Sequence, residues 1–136
     1  MSDGSRRELV QCDGKTVVLI DSITQVEAGD AGRIVVSGSH GGTSAASFAA
    51  EVKAALYVFN DAGIGKDRAG IAGLDMLEAV GIAAVAVAHD SARIGDARDT
   101  LENGVVGAVN QPARAAGMFA GMTVPEALAL FPEQVG

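Results

Sequence analysis

The sequence predicts an α/β fold: one domain, three layers, and a mixed sheet of about five strands with a parallel centre and an N-terminal hairpin. Three observations predict it. Short aliphatic and β-branched runs recur along the chain. Between residues 33 and 88 these runs alternate with segments of helical period, the pattern of parallel strands joined by crossover helices. Asp13-Gly14 separates the first two runs and suits a tight antiparallel turn.

The elements follow in order. Residues 1–7 read as a loose tail, and residues 8–136 as a single domain. Glu8–Cys12 and Lys15–Ile20 are the hairpin strands. Asp21–Gly32 is a polar connection, and Arg33–Ser37 is the next strand. Thr43–Ala55 is Ala-rich, with Ala45, Phe48, Ala49 and Val52 on one helical face. Ala55–Phe59 returns to a strand. Asp67 is the expected N-cap of a helix to about Val80, with Ile71, Leu74 and Leu77 inward and Gly81 as its stop. Gly70 and Gly73 fall inside that span and point to close packing. Ile82–Ala88 is a buried strand. Val105, Val109, Pro112, Ala113 and Ala116 fit a helix closing at Gly117, kinked or split at Pro112. Thr123-Val-Pro-Glu126 is a capping box opening a short helix to about Phe131.

Composition bounds the function. A chain of 136 residues buries about two-thirds of its extended surface, enough for one core. The longest strictly apolar run, Ile82–Ala88, is far short of a bilayer span, and no signal peptide is visible. A net charge of −7 argues against duplex nucleic acid and anionic membrane surfaces as partners. One cysteine, Cys12, allows no internal disulfide and fits the reducing cytoplasm. Ala and Gly make up roughly a third of the chain and aromatics only 4%, so a partner subunit is expected to complete some apolar surface. Lys66, Arg68, Arg93 and Arg98 cluster between residues 60 and 98, which admits a small anionic ligand despite the global sign.

Each alternating strand is followed by a Gly-rich polar loop: residues 37–44, 60–67 and 89–96. Parallel strands would bring all three to one edge, where ligands of open α/β sheets bind. The second loop is neither a dinucleotide fingerprint nor a Walker loop. Four residues follow its second glycine, and Asn60 and Asp67 stand where a Walker loop needs Gly and Ser or Thr. No cofactor and no metal is expected. His40, Asp61, His89 and Asp90 offer a divalent-ion donor set, but without helical His spacing.

Residues 35–43, Val-Val-Ser-Gly-Ser-His-Gly-Gly-Thr, resemble the nucleophile elbow of the α/β hydrolases over about nine residues, with Ser37 in place of the first glycine. The resemblance implies Ser39 as nucleophile, with Asp61 and His89 following in that family's order. The expected catalytic set is therefore Ser39, His40, Asp61 and His89. Gly41 and Gly42 would supply oxyanion amides. Asn60, Lys66, Asp90, Ser91 and Arg93 would bind a small polar or anionic substrate. The leading function is hydrolysis of such a metabolite. Acid–base lyase or isomerase chemistry without a nucleophile, and a non-catalytic anion-binding or assembly subunit, are the competing classes. Capping of the following helix by Ser37 and Ser39, and local pairing or capping by Asp96 and Asp99, are the structural alternatives.

Overall fold

Six short segments are rich in aliphatic and β-branched side chains, which suit a pleated buried surface. In the computed structural model, which describes residues 6–12, 14–64 and 70–131, these segments form one sheet. They are β1 (Arg7–Cys12), β2 (Lys15–Ile20), β3 (Ile34–His40), β4 (Leu56–Asn60), β5 (Ala84–Val87) and β6 (Val106–Val109). Their order in the sheet is their order in the chain. β1 and β2 form the antiparallel hairpin, with Cys12 opposite Lys15 and Gly14 at φ +80° in the turn. β2 to β5 are parallel, and β6 is antiparallel to β5. The expected parallel centre and N-terminal hairpin are both present.

The helices are α1 (Thr43–Ala49), α2 (Ala72–Ala79), α3 (Ala97–Asn103), α4 (Gln111–Ala115) and α5 (Val124–Leu128). Strand side chains alternate between two apolar clusters, as the pleat requires. Val18, Ile20, Val35, Tyr57 and Phe59 pack with Ala45, Ala49, Leu74 and Leu77 of α1 and α2. Val17, Leu19, Ile34, Val36 and Val58 pack with Ala97, Leu101, Val124 and Leu128 of α3 and α5. Tyr57 and Phe59 stack with ring centroids 5.9 Å apart. A Cβ at Gly73 would overlap the Gly42 carbonyl and touch Ala46, so α2 lies closely against the start of α1.

The chain departs from the sequence reading in several places. The sheet has six strands rather than about five. α2 begins at Ala72 with Ile71 as its N-cap, so Gly70 precedes the helix instead of lying inside it. Phe48 is exposed rather than buried with Ala45 and Ala49. The segment read as one helix from Val105 to Ala116 is the strand β6 followed by α4. Asn110 caps α4 by accepting from the Ala113 amide, and Pro112 sits in the first turn, where its missing N–H costs nothing. Pairing with β5 then claims the residues before it. α1 stops at Ala49, not Ala55, and Val52 turns back into the core. β1 begins at Arg7, whose guanidinium bonds both oxygens of buried Asp30 at 2.9 and 2.8 Å. The capping box at Thr123 and Glu126 forms as read, while Asp67 lies outside the described residues.

Candidate functional site

The parallel register brings the ends of β2, β3, β4 and β5 to one edge of the sheet. β4 ends in Asn60 and Asp61, both buried. Asn60 is fully committed to structure: its Oδ1 accepts from the Ala62 amide at 2.8 Å and its Nδ2 donates to the Ala92 carbonyl at 3.0 Å. Asp61 follows β4 directly and stays buried at the edge. Its Oδ1 accepts from the amides of Gly63 at 2.8 Å and His89 at 3.0 Å, and lies 3.4 Å from His89 Nδ1. The carboxylate is nearly covered, while the imidazole is 60% exposed. A buried acid thus lies beside one nitrogen of an accessible histidine, at a distance longer than a ring N–H hydrogen bond.

The loop beyond Asp61 is strained. Ala62 and Ile64 both have positive φ, 51° and 66°. For a β-branched residue this is a costly conformation. It is held by bonds from the Ile64 amide to the Asp61 carbonyl at 2.6 Å and from the Gly70 amide to the Ile64 carbonyl at 2.7 Å.

The other expected residues do not join this pair. Ser39 Oγ accepts from the Ile23 amide at 2.9 Å, and the Ser39 amide donates to Ser37 Oγ at 3.0 Å. The first bond ties β3 to the connection after β2, and the second lies within β3. The Ser39 hydroxyl makes no hydrogen bond to a histidine among the described residues. The Gly41 amide donates to the Asn60 carbonyl, so it is not free for an oxyanion. Gly42 is the N-cap residue of α1. His40 is exposed and pairs with Asn60 in the sheet register. Two strand spacings separate it from the β5 end that carries His89, about 10 Å. Ser91 closes a turn by donating to the Ala88 carbonyl and accepting from the Val105 amide. Asp90 is exposed, and Lys66 lies outside the described residues.

Arg93 goes elsewhere. From Ala88 the chain crosses the edge back toward the hairpin, pinned at each strand it passes. Ala92 is held by Asn60 of β4, the Gly95 amide donates to the Gly38 carbonyl of β3 at 2.7 Å, and the Ala97 amide donates to Asp21 Oδ1 beyond β2 at 2.9 Å. Only glycine fits at 38, because a Cβ there would lie 2.6 Å from backbone atoms of Gly95 and Asp96. Asp96 then caps α3 by accepting from the Asp99 amide, and the Arg93 amide donates to Asp99 Oδ2. The Arg93 amide and Asn103 hold the Asp99 carboxyl below the usual carboxylate range. This crossing leaves a cavity of about 220 Å³ lined by Arg6, Glu8, Asp21, Arg93, Asp96 and Arg98. Arg98 is paired with Glu8 and Glu102, whereas the Arg6 and Arg93 guanidinium groups form no ion pair among the described residues.

The sequence reading missed Arg6, Asp21 and the edge residues of β6. Asp21 directly follows a strand, the same signal that marked the other three loops. Among the described residues no cluster of three or more His, Cys, Asp or Glu could hold a metal ion, and no helix is long and apolar enough to cross a membrane. No protein-family model matches the chain, and neither a curated protein nor a solved structure shows significant similarity to it.

Proposed function

We propose that this chain is a small-molecule enzyme working by proton transfer at the carboxyl edge of the sheet, with His89 as acid–base group and Asp61 as the group that orients it. One observation carries the reading: a buried carboxylate, fixed by two backbone amides, lies 3.4 Å from Nδ1 of an accessible imidazole. In this mechanism the contact between Asp61 and Nδ1 shortens to a hydrogen bond when substrate binds, which would keep the ring proton on Nδ1. Nε2 takes a proton from the substrate, or from an attacking water, and returns it to the product. Lyase and isomerase chemistry would run through this proton shuttle, with the substrate's own carbonyl taking up the charge left by the proton. Hydrolysis of a small polar or anionic metabolite would run through water activated by His89, since the Ser39 hydroxyl is turned toward Ile23.

A second reading has its own observation. The cavity has Arg6 and Arg93 guanidinium groups that form no ion pair among the described residues, and these would attract a small anion against the carboxylates of Glu8, Asp21 and Asp96, as a non-catalytic binding module would. A reducing cytoplasmic location and a homo-oligomer belong to the proposal as well. The high Ala and Gly content and the few aromatics support the latter.

The test is turnover of a defined metabolite mixture, followed by NMR, with wild type, His89→Gln and Asp61→Asn. The expected result is consumption by wild type and a kcat lower by about 10²–10⁴ in His89→Gln. Turnover that survives His89→Gln overturns the assignment.

A further inference from the structure

Beside the Asp61–His89 pair, the outer edge of β6 carries a groove of about 500 Å³, within the usual range of about 300–1,000 Å³ for small-molecule sites. Its floor is Gly107 and Ala108, and Ile64, Ile71 and Phe119 stand around it. Resting on the proton-transfer reading, we propose that this groove seats the substrate, and that the substrate is an anion with an apolar body: an aryl or branched aliphatic carboxylate.

Four observations lead there. First, the groove borders Asp61 through Gly107. A Cβ at Gly107 would lie 3.6 Å from Asp61 Oδ2, the oxygen opposite the one that faces His89. Position 107 is therefore the boundary between groove and carboxylate, and a missing side chain keeps it open. Second, β6 is irregular at this point. The pairing with β5 shifts between Ala86 and Val87, which leaves Gly107 as the unpaired residue of a bulge. Bulges beside sites re-aim the local chain. Third, the walls are apolar and one of them is held at a cost. Ile64 has φ 66°, a strained conformation for a β-branched residue, and Phe119 is 60% exposed. A large aromatic kept in water at a concave site is a contact surface for an apolar group.

The fourth observation supplies the charge. Arg114 lines the same groove. Its guanidinium donates to Gln111 Oε1 at 3.1 Å and to the Val109 carbonyl at 3.4 Å, and it has no acidic partner among the described residues. Of five N–H donors at least three remain for a ligand. Val109 is two residues along β6 from Gly107, about 7 Å. A ligand that places a reactive carbon near His89 and a carboxylate at Arg114 therefore spans about one phenyl ring with a short chain.

The experiment uses 3-phenylpropionate and its uncharged amide as probes, titrated into the whole protein and followed by ¹H–¹⁵N NMR. Expected are saturable shifts at Gly107, Ala108 and Phe119, with the acid binding at least fivefold more tightly than the amide. Arg114→Gln should abolish that preference. Gly107→Leu should weaken the acid at least tenfold. Phe119→Ala, at a position 60% exposed, should weaken both probes while unchanged urea unfolding shows that the fold is kept. Shifts confined to the Arg6–Arg93 cavity overturn the proposal, as does equal binding of acid and amide. So does a dimer that Phe119→Ala dissociates while no probe binds, because a second copy then owns this face. His89→Gln separates the two claims. Probe binding that persists in this variant supports the groove even if no substrate is ever turned over. Turnover that depends on His89 but ignores Gly107→Leu sinks the groove alone.

Discussion

At the scale of single residues, Asp30 shows how a buried charge is used for structure. Burial alone would raise its pKa. The bonds from Arg7 and from the Glu27 amide, with the charges of Arg7 and Arg33, outweigh that and hold the carboxyl below its ordinary value. A depressed folded pKa contributes stability that is present above the unfolded value and lost as pH falls through the folded one. The chain should therefore lose stability below about pH 4, and Asp30→Asn should blunt that loss. At pH 7 the same variant should cost about 2 kcal/mol. Urea unfolding at pH 7 and pH 3 checks both, and equal acid sensitivity in the two proteins would remove Asp30 from the account. Asn110 is the neutral counterpart. Its amide donates to the Leu74 and Ile82 carbonyls and accepts from the Ala84 and Ala113 amides, so it ties α2, β5 and α4 together. Neither role is visible in the sequence, where both residues read as ordinary loop polars. Their partners lie as many as 36 positions away.

At the scale of elements, the crossing from Ala88 to Ala97 decides what the edge can do. It covers the ends of β4, β3 and β2 in turn and draws Arg93 away from His89. Gly38→Ala should drive backbone against backbone there, at a cost of about 1–3 kcal/mol, with loss of amide exchange protection at Gly95 and Ala97. Gly29→Ala meets nothing within 4 Å and serves as the control. Unchanged protection in Gly38→Ala would mean the crossing is not held at β3. Local signals were legible wherever an element carries its own punctuation. Thr123 and Glu126 announce α5, and Asp13-Gly14 announces the hairpin. The error at Val105–Ala116 came from apolar residues that satisfy either period. Pairing with β5, a contact between distant segments, settled it.

At the scale of the whole molecule, the edge is divided. The arginine-lined cavity sits by β1 and β2, and the Asp61–His89 pair by the ends of β4 and β5. From β2 to β5 is three strand spacings, about 14 Å, beyond both the usual range of side-chain coupling and the screening length at 0.1 M salt. Phosphate titrated into the protein should shift the Asp96 and Arg98 amides, and Arg93→Ala should weaken that response severalfold. The His89 ring resonances should not move in either case. Shifts at His89 would join the two regions into one site. The sequence placed polar residues at one edge, and the sheet register brings them there. It did not indicate which of them would meet, because neighbours along an edge are set by strand order and by where each loop turns.

The unbroken strand order has a further consequence, for the protein's birth. During synthesis the sheet from β1 to β5 emerges together with α1 and α2, which cover one side of it. The other side is covered by α3 and α5, made last. At roughly 5–20 residues per second, the apolar face built from Val17, Leu19, Ile34 and Val36 waits bare for several seconds. Exposed apolar surface of that kind is what makes partly made chains aggregation-prone, so slower aggregation on adding α3 and α5 is the expected result for fragments ending after β5 and after α5.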